Sequence, residues 1–390
     1  MAAGVNTIAV EWVACAADLP EALWAQTFPP PLEGRWWYLA LERSGLERQF
    51  TFAYAVLSRG GERVGIAPTF LMDLSLDLVA PDELGPLIKA LRPYIPALRH
   101  QRTLFVGSPC SEEGVVGLLP GVSLTSVAPV LQAALESRAK ALRAHMVVWK
   151  DVPEPAARAL RGPLGQAGLF EIPGFPGTLI DPAPASFDAY LAGLTGPHRH
   201  NLKKKLKSSY AAVDLSVEVV RRPDAALQGE IWGLFRQTYQ KSTTRFEELT
   251  PAFFAQMAAL DFVWFIVLRE QSSEQAVAFM MCYLEGGVAV NKFLGIDYGV
   301  DPKAFLYFRL FEAFVRWATE QGAAVLQSGQ TGYRPKLDLG HELVPLATFS
   351  KHRNPLLHRV YARIARSVSW STLDDALKVY LESRGRQAHP

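Results

Sequence analysis

The residues best equipped for chemistry lie in one run, Ser328-Gly329-Gln330-Thr331-Gly332-Tyr333-Arg334-Pro335-Lys336-Leu337-Asp338-Leu339-Gly340-His341-Glu342. It crowds hydroxyl, amide, cationic and aromatic side chains among glycines that let the chain turn sharply. It follows the apolar stretch Ala324–Gln327, so it reads as a loop at the C-terminal end of a buried strand, where sheets of this kind place ligands. A second concentration is the basic run His198-Arg199-His200-Asn201-Leu202-Lys203-Lys204-Lys205-Leu206-Lys207. On a helix, Leu202, Leu206 and Tyr210 form one stripe, expected to be buried, and Arg199, Lys203 and Lys207 form another. Such a face either is merely solvated or docks phosphates, whether of a nucleotide-linked substrate, a lipid headgroup or RNA. A third segment, Asn291–Arg309, runs from a strand through a Gly and Asp turn into a helix. The N–H groups at a helix start suit an anion, and Lys303 adds charge there; the alternative is a plain connection.

Other chemistries lack their residues. His341, His352 and His358 are too spread for a metal triad, and a lone histidine in such a segment is more often structural. Val106-Gly107-Ser108-Pro109-Cys110 is not a nucleophile elbow, and neither a Walker loop nor a dinucleotide fingerprint occurs.

The elements that must hold these groups follow from periodicity. Phe50–Arg59 alternates, and Gly60-Gly61 turns it into Arg63–Met72, a β-hairpin. Prolines 86, 93 and 96 leave only a short or irregular helix over Leu84–Leu98. A strand at Thr103–Gly107, a helix at Val127–Arg143, a strand at His145–Trp149, a helix at Glu154–Gln166 and strands near Phe170 and Thr178–Ile180 follow. The second half predicts helices at Ser186–Leu194, His198–Ala211 and Ala225–Lys241, and another capped by Thr250 with Pro251 first. Strands Phe262–Arg269, Ala276–Glu285 and Val288–Leu294 then make an antiparallel meander, before a helix Pro302–Gln321 and the strand Ala324–Gln327. The order β-β-β-α-β recurs, less cleanly, in the first half. That implies a duplication; the rival is one α+β domain with an elaborated N-terminal cap.

Length and composition agree with two domains: 390 residues, 49% hydrophobic and 20% charged. A net charge of +2 gives no global field for nucleic acid, so any polyanion binding must be local. Three scattered cysteines, Cys15, Cys110 and Cys282, offer no disulfide framework and suit a reducing compartment. The first residues carry no early Lys or Arg and include Glu11 and Asp18, so they read as mature protein. No run of about 18 uncharged apolar residues occurs. The expected setting is cytoplasmic. The segment Asn354–Trp370 sets Arg359, Arg363 and Arg366 against Leu356, Leu357, Val360, Ile364 and Val368. That is a basic amphipathic helix, which either packs on the domain or lies at the inner, anionic face of a membrane.

The stretch Phe305–Gly322, the strand after it and Ser328-Gly329-Gln330-Thr331-Gly332-Tyr333-Arg334-Pro335-Lys336 through Ser350 resemble the FemAB-like, peptidoglycan-biosynthesis-associated N-acyltransferases of the GNAT superfamily. Tyr38–Gly45, the hairpin with Val64–Met72, the lysine-rich helix and Lys241–Met257 fall in the matching order, so the resemblance spans roughly residues 30 to 365. It implies an α+β fold of two tandem GNAT-like domains, each a mixed, mostly antiparallel sheet flanked by helices. The expected boundaries are residues 1–180, residues 181–370 with the active site, and a tail, 371–390. It implies amide formation by transfer of an acyl or aminoacyl group to an amine, with Lys336, Gly340, Gln330, Tyr333 and Asn201 as the matching positions. In acetyltransferases a glycine-rich turn at the strand–helix junction holds the coenzyme A pyrophosphate; here Pro302-Lys303-Ala304-Phe305 stands in its place.

Such a transfer needs the amine deprotonated and the carbonyl oxygen stabilised. Glu285, Asp297 and His341 are the candidate bases, with substrate-held water as an alternative. Backbone N–H groups where Val288–Leu294 splays from its neighbour are candidate oxyanion donors, and Lys336, Arg334 or Lys292 can hold an anionic group. No permanently bound cofactor and no metal is expected. The donor is an acyl-CoA or an aminoacyl-tRNA, the latter bound as tRNA by the lysine-rich helix; the acceptor is a small or lipid-linked amine. Alternatives are long-chain acyl transfer to a lipid or sphingoid amine at a membrane, with Phe293, Phe305 and Phe308 lining an apolar tunnel, and a non-catalytic scaffold.

Overall fold

In the computed structural model the described residues are 7–75, 100–242 and 245–387, so the short helix expected within Leu84–Leu98 lies outside them. The chain divides into two compact units. Unit 1 comprises Met1–Glu42, Leu46–Pro176 and Pro345–Pro390, and unit 2 comprises Arg43–Gly45 and Gly177–Val344. The contiguous division at residues 180 and 370 therefore differs from the structure, which returns the C-terminal segment to the first unit. The physical reason is a strand that periodicity did not reveal.

Unit 1 contains β1 (Ile8–Val13), α1 (Glu21–Thr27), α2 (Arg35–Glu42), β2 (Thr51–Arg59), β3 (Glu62–Ser75), β4 (His100–Val106), β5 (Gly117–Leu118), α3 (Leu124–Ala141), β6 (Met146–Pro153), α4 (Glu154–Gln166) and β7 (Phe170–Pro173). After unit 2 the chain re-enters with β15 (Leu346–His352), α11 (Pro355–Ala365), α12 (Trp370–Leu373) and α13 (Asp375–Gln387). Sheet order is β1-β2-β3-β4-β6-β15-β7, with β5 beside β3. β15 is thus an interior strand, antiparallel to both β6 and β7. β4 and β6 are parallel, as a crossover through α3 requires. Leu131 and Leu135 of α3 and Leu160 and Leu164 of α4 bury their apolar sides with Val147 and Trp149 of β6 in one core. Trp149 Nε1 donates to Gln132 Oε1 at 2.8 Å, satisfying the one polar atom of that ring.

Unit 2 contains β8 (Gly177–Ile180), α5 (Phe187–Gly193), α6 (Gly196–Ala212), β9 (Leu215–Val220), α7 (Ala225–Lys241), α8 (Pro251–Ala258), β10 (Val263–Glu270), β11 (Ala276–Glu285), β12 (Val288–Ile296), α9 (Leu306–Glu320), β13 (Val325–Gln327), α10 (Tyr333–Asp338) and β14 (Glu342–Val344). Its sheet runs β14-β8-β13-β12-β11-β10-β9. The meander β10–β11–β12 is antiparallel as its turns predict. Leu310, Phe311, Phe314, Val315 and Ala318 give α9 a continuous buried stripe. Thr250 caps α8 through its side chain, with Pro251 at the first helical position.

Three expectations change here. The helix expected over Pro302–Gln321 is divided: Asp301 caps a separate 3-10 turn, Pro302–Ala304, and Phe305 adopts the left-handed region at φ 44° before α9 begins. On α6 the buried residues are Leu202, Leu206 and Ser209, whereas Tyr210 is exposed, because its hydroxyl donates to Glu312 and its ring lies over Arg309. The loop expected through Gly340 ends at Gly332, and α10 follows. Pro335 sits in the first turn of that helix, where its missing N–H costs nothing. Each unit is a mixed, mostly antiparallel sheet flanked by helices, as expected.

Candidate active site

β12 and β13 run parallel for three pairs, Val288↔Val325, Ala289↔Leu326 and Val290↔Gln327, and there the ladder ends. β12 continues to Ile296 without β13 beside it. At the same level its register against β11 slips, with Asn291 opposite Cys282 and Phe293 opposite Met281, so Lys292 is the extra residue of a β-bulge. A bulge bends and twists the strand that carries it. Bulge and ladder end together make a gap between two strands that start as neighbours.

Polar side chains converge at the mouth of that gap. Asn291 Nδ2 donates to Ser328 Oγ at 2.6 Å, Ser328 Oγ lies 2.8 Å from His341 Nε2, and His341 Nδ1 lies 2.9 Å from the Lys336 carbonyl oxygen. All four residues are buried. A carbonyl only accepts, which places the imidazole proton on Nδ1 and leaves Nε2 to accept from the Ser328 hydroxyl. Burial, and then the neighbouring Lys336 ammonium, push the His341 pKa down to about 3 against the smaller opposing effect of its backbone hydrogen bond. The ring is neutral at physiological pH.

The turn after β13 is held from within. Lys336 Nζ donates to the carbonyl oxygens of Ser328, Gly329 (3.2 Å) and Gln330 (3.1 Å), a clasp that compensates the burial of its charge. Thr178 Oγ1 on β8 donates to Gly329 O at 2.8 Å. Gly329, Thr331 and Gly332 lie near φ 60°, and glycine meets that geometry without strain. Within this turn Gln330 Nε2 is buried with no hydrogen-bond partner among the described residues. Such a donor is a costly exception unless a ligand supplies an acceptor.

The other residues singled out from sequence occupy varied positions. Tyr333 is buried in the first turn of α10. Lys336, expected to hold an anionic group, spends its ammonium on the clasp. Arg334 is exposed, 3.8 Å from Asp338 one turn on. Asp338 also receives Lys205 Nζ at 3.2 Å and Asn201 Nδ2 at 3.5 Å, which ties α6 to α10. Arg199 donates to Ala192 O at 3.2 Å, and Lys203 is exposed on α6. Lys303 is exposed in its 3-10 turn, and Ser208 of α6 donates to its carbonyl at 3.4 Å. Lys292 is the bulge residue. Asp297 Oδ1 accepts Gly299 N at 2.8 Å and so builds the turn after β12. Glu285 closes the β11–β12 turn opposite Val288, at the paired end of β12, with its pKa raised by burial. Of the three candidate bases, only His341 joins the polar chain at the gap.

Ser328 entered only as the first residue of its run, and Asn291 and Arg309 only as the ends of a segment; none of them was given a role. Asn291 interrupts an otherwise apolar strand and Ser328 follows one, a pattern that marks a strand leaving its ladder. Arg309 is buried in α9 with its guanidinium 3.7 Å from the Tyr210 ring centroid, and its Nη1 has no hydrogen-bond partner among the described residues. Phe293 packs against Phe235 and Phe253, not into a tunnel with Phe305 and Phe308. Among the described residues no group of His, Cys, Asp or Glu is arranged to hold a metal ion.

Residues 197–336 match the family model for an acetyltransferase (GNAT) domain. The chain carries a GNAT domain. The bulge, the gap and the Lys336 clasp fall inside the GNAT domain, and His341 lies just beyond the matched span. Two solved structures share the fold over both units. FemX is 11% identical, with 83% of this chain and 93% of that one covered and a TM-score of 0.54. A conserved protein of unknown function from Bacteroides thetaiotaomicron VPI-5482 is 11% identical, with 85% and 92% covered and a TM-score of 0.51. At this identity the likeness is one of fold, and the FemAB-like resemblance holds at that level. No curated protein matches the chain by sequence. The GNAT domain makes the chain an acyltransferase of the amide-forming type.

Proposed function

We propose that unit 2 transfers an acyl or aminoacyl group from a phosphate-bearing activated donor to an amine, with the donor carbonyl seated in the gap between β12 and β13. The observation that carries this reading is the buried Gln330 Nε2, a hydrogen-bond donor with no acceptor among the described residues, beside the end of β13. A carbonyl oxygen there accepts its N–H and strengthens the bond as it turns anionic, the differential stabilisation that lowers a barrier. Backbone N–H groups of the bulged β12 are the companion donors. The neutral His341 and Asn291 fix the Ser328 hydroxyl, which keeps the end of the strand rigid and polar. In the transfer the amine nitrogen bonds to the carbonyl carbon and the C–S or C–O bond to the donor breaks. The amine proton ends on the leaving thiolate or ribose oxygen. With the Ser328 hydroxyl already spending the His341 lone pair, the amine proton passes first to solvent.

Donor phosphates fit the basic strip that α6 shares with the turn before α9: Lys203, Lys204 and Lys207 with Lys303. Arg309 is a further cation in the first turn of α9. Acyl-CoA and aminoacyl-tRNA both carry that chemistry, and the experiment separates them. Full-length protein is incubated with acyl-CoAs of graded chain length, or with charged tRNA, and a mixture of amines. Mass spectrometry is expected to find one amide, with free thiol or uncharged tRNA released in equal amount. Neither consumption nor calorimetric binding of any donor would leave a scaffold as the surviving reading.

A further inference from the structure

The helix α11 is amphipathic in the opposite sense to a packing helix. His358, Tyr361, Ala362 and Ala365 face the unit: the His358 ring meets Phe170 at 5.2 Å, the Tyr361 ring meets His352 at 5.6 Å, and Ala365 is buried. Three of its apolar residues with long reach point away, while Ile364 is half-buried. Leu356 is 69% exposed, Leu357 42% and Val360 53%, whereas the sequence alone left packing on the domain open for them. Asn354 fixes where the helix starts, because its Oδ1 accepts from Leu356 N (2.9 Å) and Leu357 N (3.2 Å). Leu356, Arg359, Val360 and Arg363 follow the i, i+3, i+4, i+7 spacing of one stripe, and Arg366 extends it. α11 itself contains no acidic residue. No ion pair among the described residues engages these three arginines.

We infer that this face of α11 is a docking surface for an anionic lipid bilayer, lying in the plane of the interface. The occupant follows from the interleaving of charge and aliphatic surface. Arginine stems lie along an apolar phase while the guanidinium groups reach phosphate, and leucines at the same level enter the acyl boundary. A second copy of the chain in a two-fold contact would set arginines against arginines, a repulsive arrangement. An RNA backbone would satisfy the arginines and leave the exposed leucines in water. This surface is independent of the acyl-transfer reading and stands or falls without it.

The test is flotation of the full chain with vesicles of phosphatidylcholine alone or mixed with phosphatidylglycerol. Binding is expected only to the mixed vesicles and weakens with salt. Arg359→Gln with Arg363→Gln lowers the partition coefficient roughly 25-fold, from about a fivefold loss for each arginine. Leu356→Ser with Val360→Ser removes binding although the charge is unchanged. Because all four positions are exposed, thermal unfolding should match the parent. If a variant does shift, the lipid and salt dependence of the unaltered chain decides alone. No binding to mixed vesicles, variants that bind as the parent does, single-stranded RNA binding that survives the leucine change, or a dimer in sedimentation that Leu356→Ser dissolves would each overturn the inference.

Discussion

Among the described residues each unit has one parallel strand pair, and the two pairs end differently. In unit 1 the β4–β6 ladder stops at Val106↔Trp149, and the chain after β4 folds straight back into the space beyond. Gly114 N donates to Asp151 O at 2.7 Å, and a Cβ on Gly114 would lie 1.6 Å from the Lys150 carbonyl oxygen. Only glycine allows that approach. In unit 2 the β12–β13 ladder stops at Val290↔Gln327, and the turn beyond it leaves room: a Cβ on Gly332 meets nothing within 4 Å, and Gln330 Nε2 has no acceptor among the described residues. The same sheet motif is sealed by its own backbone in one unit and left with polar groups unspent in the other. A strand end becomes a site when the chain stops satisfying it.

The contrast can be broken from either side. Gly114→Ala forces a methyl group into the sealed end and is expected to destabilise unit 1 by about 3 kcal/mol, read from the urea midpoint at unchanged slope. A midpoint equal to the parent's would mean that the end of β4–β6 is not packed shut. In the open end, Ser328→Ala strips the hydroxyl between Asn291 and His341. Turnover is expected to fall about 100-fold, a loss typical of disturbed oxyanion donors. Stability falls by about 2 kcal/mol, because two buried polar groups lose their partner. Unchanged amide formation would place the reaction elsewhere.

The pH dependence sharpens the same point. His341 accepts a proton near 6.5 when unfolded but only near about 3 when folded, so stability is constant above the first value and declines as pH falls toward the second. Between pH 7 and pH 5 this amounts to about 2 kcal/mol. His352 and His358 are shifted down as well, mainly by burial, so the decisive quantity is the difference between the parent and His341→Gln, which loses that part of the slope. The smallest effect belongs to the rim. Arg334→Ala breaks only an exposed pair with Asp338 and should change stability by less than about 0.5 kcal/mol with turnover intact. A large loss would show that Arg334 meets substrate.

Much of the fold is legible in local signals. Glu154–Gln166, the Thr250-Pro251 start and the meander each declare themselves by a period or a cap, and those decide structure when burial is one-sided. β15 does not. An interior strand should read as continuously apolar, but Ser350 and His352 are buried and Lys351 carries its ammonium to Glu136 and to the Ala167 carbonyl, both within unit 1. Partners far along the chain satisfy these groups, and no window of sequence contains them. The site shows the same division. The Gly329–Gly340 run announces itself by its residue types, but whether Lys336 points at substrate or at three carbonyls depends on how the turn closes. Asn291 was hidden because a lone polar residue in an apolar strand has meaning only beside the residue it reaches.

The placement of β15 bears on the order in which the molecule can be made. An interior strand of unit 1 comes from residues 346–352, after all of unit 2 has been synthesised. On the ribosome, β6 and β7 must wait with open edges while the later unit emerges and folds, the reverse of the usual N-terminal-first sequence. The main segment of unit 2, Gly177–Val344, can therefore assemble before the unit that precedes it is complete, and that earlier unit closes its sheet only once residues 346–352 have emerged.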